Sequence, residues 1–445
     1  MFRLILILFG GDALIRRWKF FLAAGVLTMA LAAATLIDLF DGTAQIATWV
    51  LGGMMLVQGL AEVVVGATHT RARRGFEMLR GAAMVVFASL VLDFPWDNSI
   101  AAGAIFAAAF TSSGLLRIGS SLLIRYPGWR LSGLMGGFYL LLALLLATRW
   151  PLPDKLNVSF CVGLAFMGAA YVLLRGAWRL RRLPAGSRLA SIYMYQRKHR
   201  KKPTQNDLTN AARPLMPTPA VSPEPGPAAD TMVVHIWTAA GQVASERIRL
   251  PLIERYIFAL SNKGGVSTGH VALECGGLYI SHHPRVRLEI NRDNLLDQMQ
   301  AVSDNNHPGM WLPTYAGEAE ATRPSTFRVR FRVFNPQYLA AFWATYQLDD
   351  TYNLTSRNCS VAVTEAIDAA LEGVFADKPF WRTLLRLVFH PDMWLAGSLR
   401  VQAESMAWTP GLALDYASAL RRITHPRHDA GLQLSGWWKT RRRGN

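Results

Sequence analysis

Cysteine is scarce in this chain, which has 445 residues and three cysteines, Cys161, Cys275 and Cys359. Three cysteines give no disulfide framework, and such sparse use is typical of a reducing compartment such as the cytoplasm. A cleavable signal peptide is also lacking, because Met1–Phe9 is apolar but short and Gly11–Lys19 has no small-residue cleavage site. We therefore interpret the start of the chain as an interfacial segment that leads into a first membrane span.

Acidic residues are few as well, since 30 Asp and Glu stand against 47 Lys and Arg, for a formal net charge of +17. Residues 1–230 hold 24 basic and 11 acidic side chains, or +13, whereas residues 231–445 hold 23 and 19, or +4. A basic excess in the more apolar half favours a membrane protein over a nucleic-acid-binding protein. We therefore expect the lipid bilayer as a partner and no nucleic acid.

Long apolar runs dominate the first half of the chain, and six of them are near the roughly 20 residues that a bilayer core requires. Basic residues cluster before the first run, between the second and third, between the fourth and fifth, and after the sixth. The positive-inside rule then predicts a multi-pass inner (plasma) membrane protein with both termini and the C-terminal half in the cytoplasm. The six runs are Phe20–Phe40, Ala44–Val65, Phe76–Leu92, Ile100–Ile124, Leu131–Ala147 and Val158–Leu174.

The apolar half also repeats itself. GLAEVVVG at Gly59–Gly66 is echoed 55 residues later by GLLRIGSS at Gly114–Ser121, and Gly81 maps to Gly136 in the same way. Three helical hairpins explain such a period. Over about residues 10–180 this pattern resembles the HdeD acid-resistance membrane family, which implies a six-helix transmembrane bundle over residues 1–183 and a role in stress response.

Residues 184–230 are predicted to be a linker. Arg197–Lys202 is a basic juxtamembrane cluster suited to anionic lipid head groups. Pro203–Asp230 carries seven prolines and few large apolar residues, which is typical of an extended tether.

The second half is organised around the segment YNLTSRNCSVAV, Tyr352–Val363. Ser356 and Asn358 are both good helix N-cap residues, and the apolar residues that follow have helical spacing. Cys359 is thus predicted in the first turn of a helix, where unpaired N–H groups and the helix dipole can lower a cysteine pKa to about 3.5–7.5. The alternative is a small, buried and inert core cysteine.

Strands are predicted before this helix at MVVHIW, VSTGHVALE, LYISHH and FRVRFRVF, the last with an arginine face. The order of strands and helix, with GHVALE around His270, His282 twelve residues later and the asparagine–cysteine pair at Cys359, resembles the circularly permuted papain-like superfamily. That superfamily includes the NlpC-type peptidases and the lecithin retinol acyltransferase group. The resemblance covers about residues 231–370 and implies a thiol hydrolase or acyltransferase domain over residues 231–375, acting on a peptide or acyl-bearing substrate. Ser360 and Val361 depart from the glutamate and histidine typical of the acyltransferases, which leaves the substrate class open.

The chemistry assigns a role to each candidate residue. Cys359 is the predicted nucleophile and His270 its base, and a third group must hold the imidazole. A strict two-residue turn at Gly276-Gly277 would put His283 opposite His270, whereas a bulged turn would put His282 there. The family spacing favours His282, so we predict the bulged register and the set Cys359, His270 and His282.

Two further residues are predicted to support the reaction. Tyr352 is a candidate donor to an oxyanion, beside the N–H of Cys359, and Asn358 is a second oxyanion or supporting group. No cofactor is expected. A metal site at the clustered His270, Cys275, His282 and His283 is the weaker alternative, because the sequence has no CxxC or HExxH spacing.

Residues 376–445 are predicted to be a helical, membrane-facing extension with a basic, Trp-rich tail at an anionic lipid surface. The sequence therefore predicts a six-helix transmembrane bundle followed by an α+β, permuted papain-like domain with an antiparallel sheet and a helical C-terminal extension. A non-enzymatic, HdeD-like stress protein whose soluble domain binds a partner or ligand is the rival interpretation. A homo-oligomer is compatible with either.

Overall fold

The computed structural model describes residues 1–37, 45–68, 71–92, 99–126, 128–150, 154–184, 187, 189, 231–238, 259–260, 266–267, 269–286, 288, 294–405 and 407–425. Nearly all of the predicted linker and the whole basic tail after residue 425 lie outside these residues. The chain divides into two compact units. Of the described residues, those within 1–15, 120–129 and 183–425 form one unit, and those within 16–119 and 130–182 form the other.

The unit that contains residues 16–119 and 130–182 is built from long helices. Each predicted membrane span falls on one of these long helices. Over the described residues, four helical stretches are long and apolar enough to cross a membrane, which indicates a membrane-embedded protein; they are Trp18–Ile37, Gly103–Ile124, Trp129–Thr148 and Ser159–Arg182. A shorter apolar stretch covers Gly81–Val91. The helices are α3 (Trp18–Ile37), α4 (Gln45–Thr68), α5 (Arg71–Val91), α6 (Ser99–Ile124), α7 (Trp129–Thr148) and α8 (Asp154–Arg182).

Glycines set the contacts within two of the helical hairpins. A Cβ on Gly81 in α5 would lie 2.9 Å from the carbonyl oxygen of Gly59 in α4. A Cβ on Gly136 in α7 would lie 2.9 Å from the carbonyl oxygen of Gly114 in α6. Only glycine permits helices to approach this closely. The two pairs are related by the same 55-residue offset as the sequence repeat, so both hairpins use one packing device.

The other unit contains a five-stranded antiparallel sheet with the order β6-β5-β4-β1-β7. This confirms an antiparallel sheet accompanied by helices, whereas the permuted papain-like topology stays a prediction. The strands of this sheet are β1 (Met232–Trp237), β4 (His270–Cys275), β5 (Leu278–Pro284), β6 (Gly309–Trp311) and β7 (Phe327–Phe331). The strands β2 (Ala259–Leu260) and β3 (Val266–Ser267) form a separate pair.

Strand alternation gives this sheet two different faces. Val234, Ile236, Val271, Leu273 and Ile280 are fully or almost fully buried and form an apolar face. His235, His270, Ser281 and His283 lie on the opposite, polar face. The helices of this unit are α1 (Phe2–Phe9), α2 (Gly11–Ile15), α9 (Leu295–Gln298), α10 (Tyr315–Ala321), α11 (Pro336–Tyr346), α12 (Cys359–Leu371), α13 (Phe380–Val388), α14 (Pro391–Ser405) and α15 (Pro410–Thr424).

Helix α12 is the centre of this unit, because all of its 13 residues are buried. Asp368 on α12 pairs with Arg400 of α14 and accepts a hydrogen bond of 2.6 Å from the phenol of Tyr416 on α15. Asn358 donates to the carbonyl oxygen of Trp408 over 2.9 Å. Helices α14 and α15, which fall within the predicted extension over residues 376–445, therefore pack on α12.

The first helix of the chain also packs in this unit, so its prediction as an interfacial segment is wrong. Leu4–Phe9 are at most 3% exposed. The carbonyl oxygens of Ile7 and Leu8 each accept a backbone N–H, from Gly373 and Phe375, at 2.9 Å. An interfacial helix needs a polar face, but Phe2–Phe9 has a single charged residue, Arg3, and a helix that is apolar all round is buried instead.

The hairpin between β4 and β5 has the tight register, so the predicted bulge is wrong. Cys275 pairs with Leu278 and Ala272 with Ser281, which leaves only Gly276 and Gly277 in the turn. Both glycines have positive φ, 53° and 85°. A two-residue turn with two positive φ angles is type I′, which matches the twist of antiparallel strands.

Candidate active site

Cys359 is the first residue of α12, as predicted. Asn358 is the N-cap, and its side-chain oxygen accepts the N–H of Val361 at 2.9 Å. Both N–H groups of its amide are used on carbonyl oxygens, of Leu354 at 2.7 Å and Trp408 at 2.9 Å. Asn358 therefore fixes the start of the helix and has no donor left for a substrate oxyanion.

The sulfur of Cys359 lies where β4 and β5 separate. Pairing between these strands runs from Cys275–Leu278 to Ala272–Ser281 and stops there. The backbone N–H of Val271, the next residue of β4, is close enough to the sulfur to lower the pKa of the thiol. Val271 follows His270 directly in the chain, and its nitrogen is about 2.4 Å from Cα of His270 by covalent geometry. Helix and hairpin thus bring Cys359 next to the backbone of His270.

The thiol is not activated in this structure, which contradicts the predicted low pKa. Burial raises the pKa of Cys359 to about 11, although the N–H of Val271 acts in the opposite direction. The negative charge of Glu318 raises it further. Desolvation of a thiolate at a fully buried helix end therefore outweighs the helix dipole.

His270 is held on the polar face by its Nε2 atom. Nε2 lies 2.8 Å from Oγ of Ser281 and 3.1 Å from Oε1 of Glu318. Over the residues that the structure describes, the polar contacts of this ring are made by Nε2. Burial lowers the pKa of His270 to about 3, His283 adds to the shift and Glu318 opposes it. His270 is therefore a neutral imidazole whose Nδ1 is the atom left to receive a proton.

Glu318 of α10 is the acidic centre of this cluster. Its Oε1 accepts from Nε2 of His283 at 2.9 Å, and its Oε2 accepts from the hydroxyls of Tyr279 and Ser281 at 2.5 and 2.8 Å. Burial alone would raise the pKa of Glu318, but the hydrogen bond from His283 and the neighbouring His270 outweigh it and hold the pKa at about 2. The carboxylate is thus charged in a site where it is 4% exposed.

The structure places His283 beside His270, with 4.1 Å between the ring centroids. His282 lies on the opposite face of β5, stacked on Trp311 at 4.0 Å, with its Nε2 3.2 Å from the carbonyl oxygen of Asp350. The difference follows from the turn, because a change of one residue in register moves every side chain to the other face. His282 is therefore not brought to the Nε2 atom of His270.

Tyr352 is buried and lies near both His282 and Cys359. Its ring meets His282 edge-on at 5.1 Å. Burial raises the pKa of its phenol, and the nearby Cys359 adds to the shift. Within the described part of the chain, no hydrogen bond is among the causes of that shift. The phenol is therefore near the thiol, where the predicted oxyanion role requires a donor.

Glu318, Ser281 and Tyr279 were missed by the sequence reasoning. Tyr279, Ser281 and His283 alternate along one strand, and once the two-residue turn is chosen they share the face of His270. The alternation was readable in the sequence. Glu318 carried no such signal, because it lies in the seven-residue helix α10, outside the strands and the helix predicted from the sequence.

No family model, curated protein or solved structure matches this chain. Both family resemblances therefore stay predictions based on the residues quoted above.

Proposed function

We propose that this chain is a membrane-anchored cysteine hydrolase or acyltransferase that attacks an amide or ester carbonyl with Cys359. The observation that carries the proposal is the placement of the thiol at the N-terminus of α12, near the backbone N–H of Val271, the residue that follows His270. Ser281 and Glu318 hold the imidazole of His270 through Nε2, which leaves Nδ1 to accept the proton of Cys359. A nucleophile, a base and a group that orients the base are the parts that acyl transfer needs.

The resting pair is a neutral thiol and a neutral imidazole. As the sulfur attacks the carbonyl carbon, its proton passes to Nδ1 of His270, and the carboxylate of Glu318 stabilises the imidazolium. The N–H of Cys359 and the phenol of Tyr352 donate to the oxyanion. His270 then returns the proton to the leaving amine or alcohol, which leaves a thioester on Cys359. Water or an acceptor hydroxyl or amine releases the acyl group, with His270 again as base.

This assignment departs from the predicted set at one residue. We assign the orienting role to Glu318 with Ser281 and His283, in place of His282. The rival function, a non-catalytic stress protein, needs none of this arrangement. A buried, charged carboxylate that holds a histidine next to a cysteine is costly to build and typical of reactive sites.

The enzyme unit and both termini face the cytoplasm in our proposal, and six helices cross the inner membrane. The alternating arginine clusters of the sequence support this placement. A fluorescent reporter that folds only in the cytoplasm, fused after the last residue, should fluoresce. A dark fusion, beside a bright one at an established cytoplasmic loop of a control protein, contradicts the placement.

Covalent trapping tests the reaction itself. The full-length protein in lipid nanodiscs should form a thioester with p-nitrophenyl acetate, detected as an acetyl group on the Cys359 peptide by mass spectrometry and removed by hydroxylamine. The modification should vanish in Cys359→Ala and fall by about 100-fold or more in His270→Gln, the usual value of a general base. Equal acetylation of Cys275 and Cys359, unchanged by His270→Gln, rules out the proposed pair.

A further inference from the structure

Three side chains of the polar face converge on one point from different elements. Oε1 of Glu318 on α10 lies 3.1 Å from Nε2 of His270 on β4 and 2.9 Å from Nε2 of His283 on β5. Over the described residues, these three form the group whose donor atoms all lie within 4.8 Å of one another. The sequence analysis grouped His270 with His282, so this arrangement of His270, His283 and Glu318 is evident only from the folded chain.

We propose that His270, His283 and Glu318 bind a divalent transition-metal ion of the zinc type. Such an ion lies about 2.0–2.2 Å from imidazole nitrogen and carboxylate oxygen. At octahedral or tetrahedral angles, neighbouring donor atoms are then roughly 2.8–3.6 Å apart. The two separations from Oε1 of Glu318, 3.1 and 2.9 Å, fall within this range. Two histidines and one carboxylate also leave at least one coordination position for water.

The surroundings of the carboxylate favour the same role. Ser281 and Tyr279 donate to Oε2 of Glu318 and so hold Oε1 toward the two imidazoles. Hydrogen bonds of this kind orient the ligands of metal sites. The side chain of Glu318 is 3% exposed and that of His270 9%, whereas that of His283 is 28% exposed. An ion therefore enters from the side of His283.

The metal would act as an inhibitor of the thiol, a consequence that rests on the proposed function. An ion on Nε2 of His270 leaves the single ring proton on Nδ1. Nδ1 is then a donor and cannot accept the proton of Cys359. Metal binding and acylation thus exclude each other at one imidazole.

Titration of the metal-stripped, full-length protein in detergent with Zn²⁺ and with Co²⁺ tests the site. We expect one equivalent to bind, with the absorption spectrum of Co²⁺ bound to nitrogen and oxygen. Affinity should fall by at least about 10-fold in His283→Gln and in Glu318→Gln, since even losing a group behind a ligand costs 10–100-fold. His282→Gln, at the neighbouring histidine on the opposite face, and Cys359→Ala should bind as the wild type does. Metal-free melting curves of every variant show that the fold is kept.

The metal site is overturned if the wild type binds no equivalent, or if His283→Gln and Glu318→Gln bind the metal as tightly as the wild type does. The three residues are then a hydrogen-bonded polar cluster. Alkylation of Cys359 with and without Zn²⁺ tests the proposed inhibition separately from metal binding. Zn²⁺ should slow alkylation in the wild type and not in His283→Gln. If Zn²⁺ binds and alkylation is unchanged, the inhibitory role is wrong while the site stands. If alkylation never depends on His270, the proposed function fails and metal binding is unaffected.

Discussion

Glu318→Gln should lower the rate of acylation of Cys359 by about 100-fold or more, at the scale of losing general-base catalysis. Glu318 is the negative charge 3.1 Å from the imidazole that must become positive, and it is buried, so water cannot replace it. Glutamine keeps the shape and the acceptor oxygen for the hydroxyls of Ser281 and Tyr279 but loses the charge. Acetylation of Cys359 in nanodiscs, followed by mass spectrometry over time, measures the rate.

Glu320→Gln is the matched control, because Glu320 lies on the same helix α10 and is exposed. Its acylation rate should stay within about twofold of the wild type, since an exposed charge is screened by solvent. Equal rates in Glu318→Gln and Glu320→Gln would show that the buried carboxylate has no part in the chemistry.

Phe9→Ala should destabilise the unit that contains the five-stranded sheet by about 3–5 kcal/mol, the usual cost of removing a buried phenylalanine side chain. Phe9 is 1% exposed and its ring lies 5.0 Å from that of Phe380 at the start of α13. The helix that carries it, α1, packs against α12 and α14 of the same unit. The first turns of the chain are therefore part of the scaffold that holds the thiol.

Urea unfolding of the full-length protein in detergent, followed by tryptophan fluorescence, measures this loss. Leu348→Ala is the control, because Leu348 belongs to the same unit and is 82% exposed, so its loss should change the free energy of unfolding by no more than about 0.5 kcal/mol. If Phe9→Ala is as mild as Leu348→Ala, α1 is not a component of the core. A fragment starting at residue 231 would also lack α1, so it is a poor substitute for the whole chain in these experiments.

Local patterns in the sequence were sufficient where one element decides the outcome. The asparagine cap and the apolar spacing placed Cys359 at the start of a helix, and two glycines placed a hairpin after His270. The apolar runs located helices that are long enough to span a bilayer. Each of these signals depends on residues within about a dozen positions of one another.

Tertiary packing decided what the sequence reasoning missed. The choice between His282 and His283 depended on one residue of register, and the family spacing favoured the wrong turn. Glu318 reaches the site from an element 35 residues beyond His283. The pKa of Cys359 depends on how much protein covers the helix end, which no local motif records. These are long-range properties, and only the folded chain contains them.

The pH dependence of Cys359 alkylation tests the central claim, that His270 takes the thiol proton, most directly. Burial puts the pKa of Cys359 at about 11 and that of His270 at about 3, so both groups are neutral between these values. In a Cys161→Ala, Cys275→Ala background, iodoacetamide should therefore label Cys359 at a rate that is nearly constant from roughly pH 5 to pH 9, well inside this window. In His270→Gln only the thiolate reacts, so the rate should rise about tenfold per pH unit over the same range and lie about 100-fold or more below the wild type at neutral pH. A wild-type rate that climbs with the same slope as the folded His270→Gln variant would contradict the account.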